Sequence, residues 1–154
     1  MKPTKTIRCN YVHINEYVDI MYILESCGLN YDSNLPAKLP AYCIGAWDND
    51  TEEMIGVISA CPSYGTSVFI PFFGVMPAYR GEDVGIKLIE RLFNQLIKDG
   101  FDKYDAITQV NQDDIDSQAL GYFEKLSADL EPGFIIEGRL NVSLNKIKKY
   151  AAER

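Results

Sequence analysis

"GVMPAYRGEDVGIKLIERLF", residues 74–93, decides the fold. It begins as the end of an apolar strand, passes through a turn with glycines at 81 and 85, and continues at once as an amphipathic helix. Val84, Leu88, Leu92 and Leu96 form one row, widened by Ile89, Phe93 and Ile97, while Lys87, Glu90, Arg91, Asn94 and Lys98 fall on the other side. Gly100 is placed to stop it. A helix that starts directly from a strand turns its first N–H groups, and the positive end of its dipole, towards any anion nearby. Gly81 and Gly85 let the backbone approach a phosphate, and Arg80 adds a charge and a planar set of donors. Glycines at such a turn are equally a geometric need, so the turn alone leaves a phosphate site and a plain helix start both open.

Working outward, "SVFIPFFGV" (67–75) is apolar on both faces and reads as a central strand, with Pro71 at a bulge or an edge position. "AYCIGAWD" (41–48) and "MIGVISAC" (54–61), joined by "NDTEE", read as a hairpin. Thr6 to Tyr11 fits a first strand. Asn15 to Cys27 fits a helix with Val18, Met21, Tyr22 and Leu24 at helical spacing, closed by Gly28. The proline-bearing run 29–40 is a loop, and a place for a substrate lid. Downstream, Lys103 to Val110 reads as a strand, and "SQALGYFEKL" (117–126) as a helix capped by Asp116 or Ser117. "FIIEGRLNVSL" (134–144) alternates, with Ile136, Leu140, Val142 and Leu144 on one face, so it reads as a half-exposed strand; the basic tail "NKIKKYAAER" reads as a solvated end.

Composition narrows the function classes. A chain of 154 residues, 47% of them hydrophobic, suits one domain over 1–154. A formal charge of −7 and a pI near 4.7 oppose binding to a phosphate backbone, so no nucleic-acid partner is expected. The acidity suits a cationic ligand such as an amine, and equally plain solubility. There is no apolar leader behind "MKPTKTIRCN" and no stretch of ~18 apolar residues, so a cytoplasmic protein without a membrane partner is expected. Cys9, Cys27, Cys43 and Cys61 form no C-x-x-C pair, and "QDDIDSQ" lacks the spacing and glycine of a calcium loop; no metal and no disulfide scaffold is expected. His13, the single histidine, has no carboxylate partner visible in sequence, which disfavours a Cys/His or Ser/His nucleophile.

The elements run strand, helix, loop, three strands, long helix, strand, shorter helix, final strand. That order, with "VMPAYRGEDVG" (75–85) after the fourth strand, resembles the GNAT superfamily of acyl-CoA-dependent N-acyltransferases over nearly the whole chain. The family pattern is Arg or Gln, two residues, Gly, one residue, Gly or Ala. Arg80, Val84 and Gly85 match it, as do Val75 and Pro77 before it. "ALGYFEKL" (119–126) is similar to the family's later helix, and Gly133 and Phe134 to the turn and strand after it. The resemblance implies a mixed α/β fold: a twisted, mostly antiparallel sheet of six to seven strands with a parallel splayed pair, flanked by about four helices. It also implies acetyl-CoA or another acyl-CoA as co-substrate. The pantetheine arm would lie on the backbone of Phe73, Gly74 and Val75. The pyrophosphate would lie on the turn Arg80, Gly81, Glu82, Asp83, Val84, Gly85 and Ile86, with Phe123 also on the cofactor side, in a gap between the strands carrying Val75 and Val110.

Three departures concern function. Asp83 stands where the family usually has glycine, which puts a carboxylate near a pyrophosphate, although Asp in a first helical turn favours the dipole. The tyrosine that often protonates the leaving thiolate aligns with Phe123; Tyr122 is adjacent but ~100° round the helix, and is the candidate general acid. "SVFIPFFGV" holds no carboxylate to act as base, leaving Glu52, Glu53 or a water path. The expected activity is N-acetyl or N-acyl transfer to a primary amine, on a small molecule or peptide, by direct attack. The alternative is a catalytically inactive GNAT-like protein with a binding, regulatory or assembly role, in which a homodimer would fit. A different phosphate ligand, such as a nucleotide, is disfavoured because the turn lacks the lysine and hydroxyl of a P-loop.

Overall fold

β1 (Ile7–Tyr11) lies antiparallel to β2 (Tyr42–Asp48), and β2 turns back into β3 (Met54–Pro62) as the expected hairpin. Between β1 and β2 a 3-10 turn at Ile14–Glu16 leads into α1 (Tyr17–Ser26). The computed structural model describes residues 6–27, 39–79, 83–107, 129–131 and 135–152. The expected loop at 29–40 lies almost wholly, and the expected helix at 117–126 wholly, outside them.

β4 (Ser67–Ile70) and β5 (Phe73–Val75) both pair with β3, and α2 (Val84–Lys98) follows. β6 (Lys103–Ile107) runs parallel to β4. β7 (Asp129–Glu131) and β8 (Ile135–Arg139) close the far edge, and α3 (Leu140–Ala152) ends the described chain. The sheet order is β1-β2-β3-β4-β6-β8-β7, with β5 beside β3. Counting β4 and β5 as one interrupted strand, this is a seven-stranded mixed sheet, mostly antiparallel with one parallel pair, and three α-helices among the described residues. The fold is the one the resemblance implied.

α2 behaves as its periodicity dictates. Val84, Leu88, Leu92, Phe93 and Leu96 are buried against Ile44, Ile55 and Tyr104, each such side chain contributing about 1.5–3 kcal/mol of burial. Gly100 adopts φ +97 and the helix closes as a Schellman motif: Gly100 N–H donates to Ile97 O at 3.1 Å and Phe101 N–H to Leu96 O at 3.0 Å.

Three sequence expectations are corrected. The strand expected over 134–144 ends at Arg139, where α3 begins, and the basic tail is its continuation. Leu140, Leu144 and Ile147 recur at helical spacing and are buried against the core, whereas Val142, which completed the apparent alternation, is 42% exposed. Lys148 and Lys149 then sit near the carboxyl end of α3, where the dipole favours cations. In α1 the buried face is Ile20, Ile23 and Leu24, while Val18 (71%) and Tyr22 (63%) face solvent. "SVFIPFFGV" is two strands, not one.

Candidate functional site

The break in that apolar run creates the candidate site. β4 pairs with the end of β3 (Cys61 with Phe69, Pro62 with Val68) and, on its other side, with β6 from Ser67–Lys103 to Ile70–Ala106. Pro71 has no N–H to continue a ladder. At Phe72 a side chain takes over: the fully buried Ser59 hydroxyl accepts the Phe72 N–H at 3.3 Å, while Ser59 N–H donates to Phe72 O at 3.0 Å. Beyond it β5 resumes against β3, with Phe73 opposite Ile58, Gly74 opposite Val57 and Val75 opposite Gly56.

The Ser59 to Phe72 bond and a Met76 N–H to Ile55 O bond of 2.8 Å bracket this pairing. Antiparallel alternation then makes Gly74 the residue that exchanges bonds with Val57, and turns the N–H and C=O groups of Phe73 and Val75 away from β3. Among the described residues no strand pairs with β5 on that side. The Val75 carbonyl there accepts the Cys27 thiol at 3.3 Å, and a Cβ at Gly74 would lie 3.2 Å from the same sulfur, so the end of α1 closes over this edge.

From β5 the chain passes through a 3-10 turn at Pro77–Tyr79 towards α2. Arg80, Gly81 and Glu82 lie outside the described residues, as do Tyr122 and Phe123. Asp83 is not in the first turn as expected; it is the N-cap, in the left-handed region at φ 64, ψ 11, with no side-chain capping bond. Glycine adopts that conformation without strain, and Asp tolerates it better than most residues. The first helical bond runs from Lys87 N–H to Asp83 O, so the N–H groups of Val84, Gly85 and Ile86 precede it. The Val84 and Ile86 side chains are buried, which leaves only their backbone for a ligand. Gly56 sets how closely β5 and this helix start share β3: a Cβ there would meet Leu88 Cδ1 at 3.0 Å and Val84 Cγ1 at 3.1 Å.

The remaining chemistry is sparse. Glu52 is engaged by Arg8 at 3.3 Å at the hairpin tip, and Glu53 lies six residues, ~20 Å of strand, from Ser59 and the break. All four cysteines are free; burial pushes the Cys9 thiol up to about 11 and the Cys43 thiol up to about 12, away from nucleophilic character. Glu16 accepts the His13 backbone N–H, so the carboxylate beside the histidine serves the start of α1. No cluster of three metal-ligating side chains occurs among the described residues, and no described helix is long and apolar enough to cross a membrane.

Sequence reasoning missed Ser59, Cys27 and Asp48. Ser59 and Asp48 share a readable signal: each is a polar residue inside or ending an apolar strand, and each is fully or nearly fully buried. Cys27 gave none, since its position over β5 depends on how α1 packs.

Residues 14–127 match the Acetyltransferase (GNAT) family. No curated protein sequence matches this chain significantly. Among solved structures it is similar to a PaiA N-acetyltransferase from Thermoplasma acidophilum in complex with coenzyme A (TM-score 0.69, 14% identity, 87% of this chain and 99% of that one). It is similar also to Naa50 of Arabidopsis thaliana in complex with the bisubstrate analogue CoA-Ac-MVNAL (0.68, 16%, 86% and 97%). A third similar structure is the diaminobutyrate acetyltransferase EctA from Paenibacillus lautus with L-2,4-diaminobutyric acid and coenzyme A (0.65, 18%, 81% and 79%). At these identities the likeness is one of fold.

Proposed function

The chain belongs to the GNAT acetyltransferase family, and on that premise we propose that it transfers an acetyl or other acyl group from acyl-CoA to a primary amine. The observation that carries the reading is the outward-facing backbone edge of Phe73 and Val75, which precedes the start of α2 at Val84 by only nine positions in the chain. An extended amide-bearing arm pairs with such an edge as an added strand would, and a diphosphate suits the N–H groups of Val84, Gly85 and Ile86. Arg80, Gly81 and Glu82 complete that turn in sequence. The similar structures named above, with coenzyme A and with amine or peptide groups, support both halves of the reading.

Bound acyl-CoA supplies an activated thioester carbonyl, which the amine nitrogen attacks as the carbon–sulfur bond breaks. The chain's part is to align the two reactants and exclude water, and positioning of this kind lowers a barrier by several kcal/mol without a covalent enzyme intermediate. N–H groups on the β5 edge polarise the carbonyl. Tyr122 is assigned the proton for the departing thiolate, with Phe123 beside the cofactor. The amine's own proton leaves by water, because neither β4 nor β5 carries a carboxylate.

Thermal unfolding with acetyl-CoA, free CoA and ATP tests this. A ligand at 100 times its Kd adds ~2.7 kcal/mol to stability. A rise with both CoA species and not with ATP supports the site, and consumption of acetyl-CoA with an amine panel then supports the reaction. Binding without turnover favours the inactive, GNAT-shaped alternative, for which the bare β4–β5 segment and Asp83 speak. No shift at millimolar ligand overturns the cofactor reading.

A further inference from the structure

β1 ends the sheet on one side: it pairs with β2, and among the described residues no strand lies beyond it. The register decides which of its groups face outward. Asn49 N–H donates to Thr6 O at 3.0 Å and Val12 N–H to Cys43 O at 2.9 Å, so Thr6, Arg8, Asn10 and Val12 turn their backbone groups to β2. Alternation then turns the N–H and C=O groups of Ile7, Cys9 and Tyr11 outward. Asn10 Oδ1 accepts the Tyr11 N–H at 2.9 Å. The outward groups of Ile7 and Cys9 have no partner among the described residues, and no residue of β1 is buried.

One face of this edge is flanked by cations. Lys87 and Arg91, one turn apart on α2, lie on the side that carries Cys9 and Tyr11. The Arg91 guanidinium sits 5.5 Å from the centroid of the Tyr11 ring. Burial raises the Cys9 thiol, and Lys87 and Arg91 pull it the other way, which puts both cations near it. Lys87 is exposed and Arg91 half-buried, and neither has a carboxylate within ion-pair distance among the described residues. On the opposite face Arg8 already has Glu52 at 3.3 Å and Asn49 at 2.7 Å.

Charge selects what can pair here. A second copy, antiparallel about Cys9, would keep both α2 helices on one face and set Lys87 and Arg91 against their equivalents, which like charges oppose. Carboxylates on the α2 face of an added strand do the reverse. The formal charge of −7 repels an acidic partner at long range, but physiological salt screens that field beyond about 8 Å. An added strand lies about 4.8 Å from β1, within reach of both cations.

We infer that the outer edge of β1 docks an extended acidic segment of another protein, which adds a strand through Ile7 and Cys9 and sets carboxylates against Lys87 and Arg91. This surface is separate from the proposed acyl-CoA site, because β2 and β3 lie between β1 and β5.

Amide hydrogen exchange of the full chain, read residue by residue by NMR, tests it with a short blocked peptide in which glutamate alternates with valine. Near saturation the Ile7 and Cys9 amides should exchange about tenfold more slowly, while those of Arg8 and Asn10, already bonded to β2, should not change. The same peptide with every amide N-methylated keeps its charge but cannot enter a ladder, and should give no protection; nor should the lysine–valine counterpart. Lys87→Gln combined with Arg91→Gln should weaken binding about fivefold. Equal protection by the lysine or the N-methylated peptide, unchanged binding to the double variant, or no protection at millimolar peptide each overturns the inference. Protection of Ile7 and Cys9 that grows with protein concentration in the absence of peptide overturns it in favour of a second copy.

Discussion

β4 and β5 come from one apolar run and end in opposite circumstances. β4 has a neighbour on each side, β3 and the parallel β6, so its backbone is committed to the sheet. β5 has β3 alone among described strands, and the other edge of Phe73 and Val75 faces away from the ladder. An exposed edge invites pairing with other chains, and short strands are one way proteins blunt that hazard. Here the edge is three residues long, is partly covered by the end of α1 through Cys27, and is followed by the 3-10 turn at Pro77–Tyr79. Among the described residues, then, β4, in the closed half, is flanked by strands on both sides and β5, in the open half, by β3 alone, and the proposed acyl-CoA site uses the second of these edges.

That division predicts that damage to the closed half costs folding, and changes at the open end alter binding. The largest expected effect is Phe93→Ala. Phe93 is fully buried and its ring lies 5.0 Å from that of Tyr104 on β6, so truncation should cost about 3–5 kcal/mol in urea unfolding. Acetyl-CoA affinity of the folded fraction should be unchanged, and a large loss of affinity would break the division.

Ser59→Ala acts at the joint between the halves. Removing the buried hydroxyl takes away the partner of the Phe72 N–H and should cost about 1–3 kcal/mol. If the break in the strand is held by this bond, binding to the β5 edge should weaken as well. A stability loss with full binding would place control of the break in Pro71 and the β4 register instead.

Asp83→Gly acts at the open end. It relieves a left-handed aspartate but frees the unfolded chain, so net stability should move by less than about 1 kcal/mol. Affinity for CoA, read by calorimetry, should tighten about tenfold, since a unit charge leaves the vicinity of a diphosphate. Unchanged affinity would show that the carboxylate does not face the ligand.

The smallest effect belongs to a surface tie of the closed half. The Tyr42 hydroxyl donates to Asp99 Oδ2 at 2.6 Å, and this bond, followed by that from Gln95, holds the Asp99 carboxyl below the usual carboxylate range. A depressed folded pKa stabilises above the unfolded value of about 3.9 and ceases to do so as pH falls through the folded value. The Tm difference between wild type and Tyr42→Phe should therefore be present at pH 6 and shrink below pH 4. A constant difference would assign it to packing against Phe101.

Much of this protein was settled by the sequence alone, wherever a signal was local and repeated. The 3.6-residue row of α2, its glycine stop and the β2–β3 hairpin were legible because each residue's role follows from its neighbours in the chain. The family was legible because order and motif agreed across most of the chain. The tertiary structure decided what depended on distant partners. Whether Leu140, Val142 and Leu144 belong to a strand or a helix was resolved by which of them the core could bury. Ser59 ends the ladder at Phe72 only because β3 lies beside it, and Tyr79 reaches Asp48 only because β2 ends there. Local periodicity says how a segment can fold; a bond between residues tens of positions apart exists only once packing has brought them together.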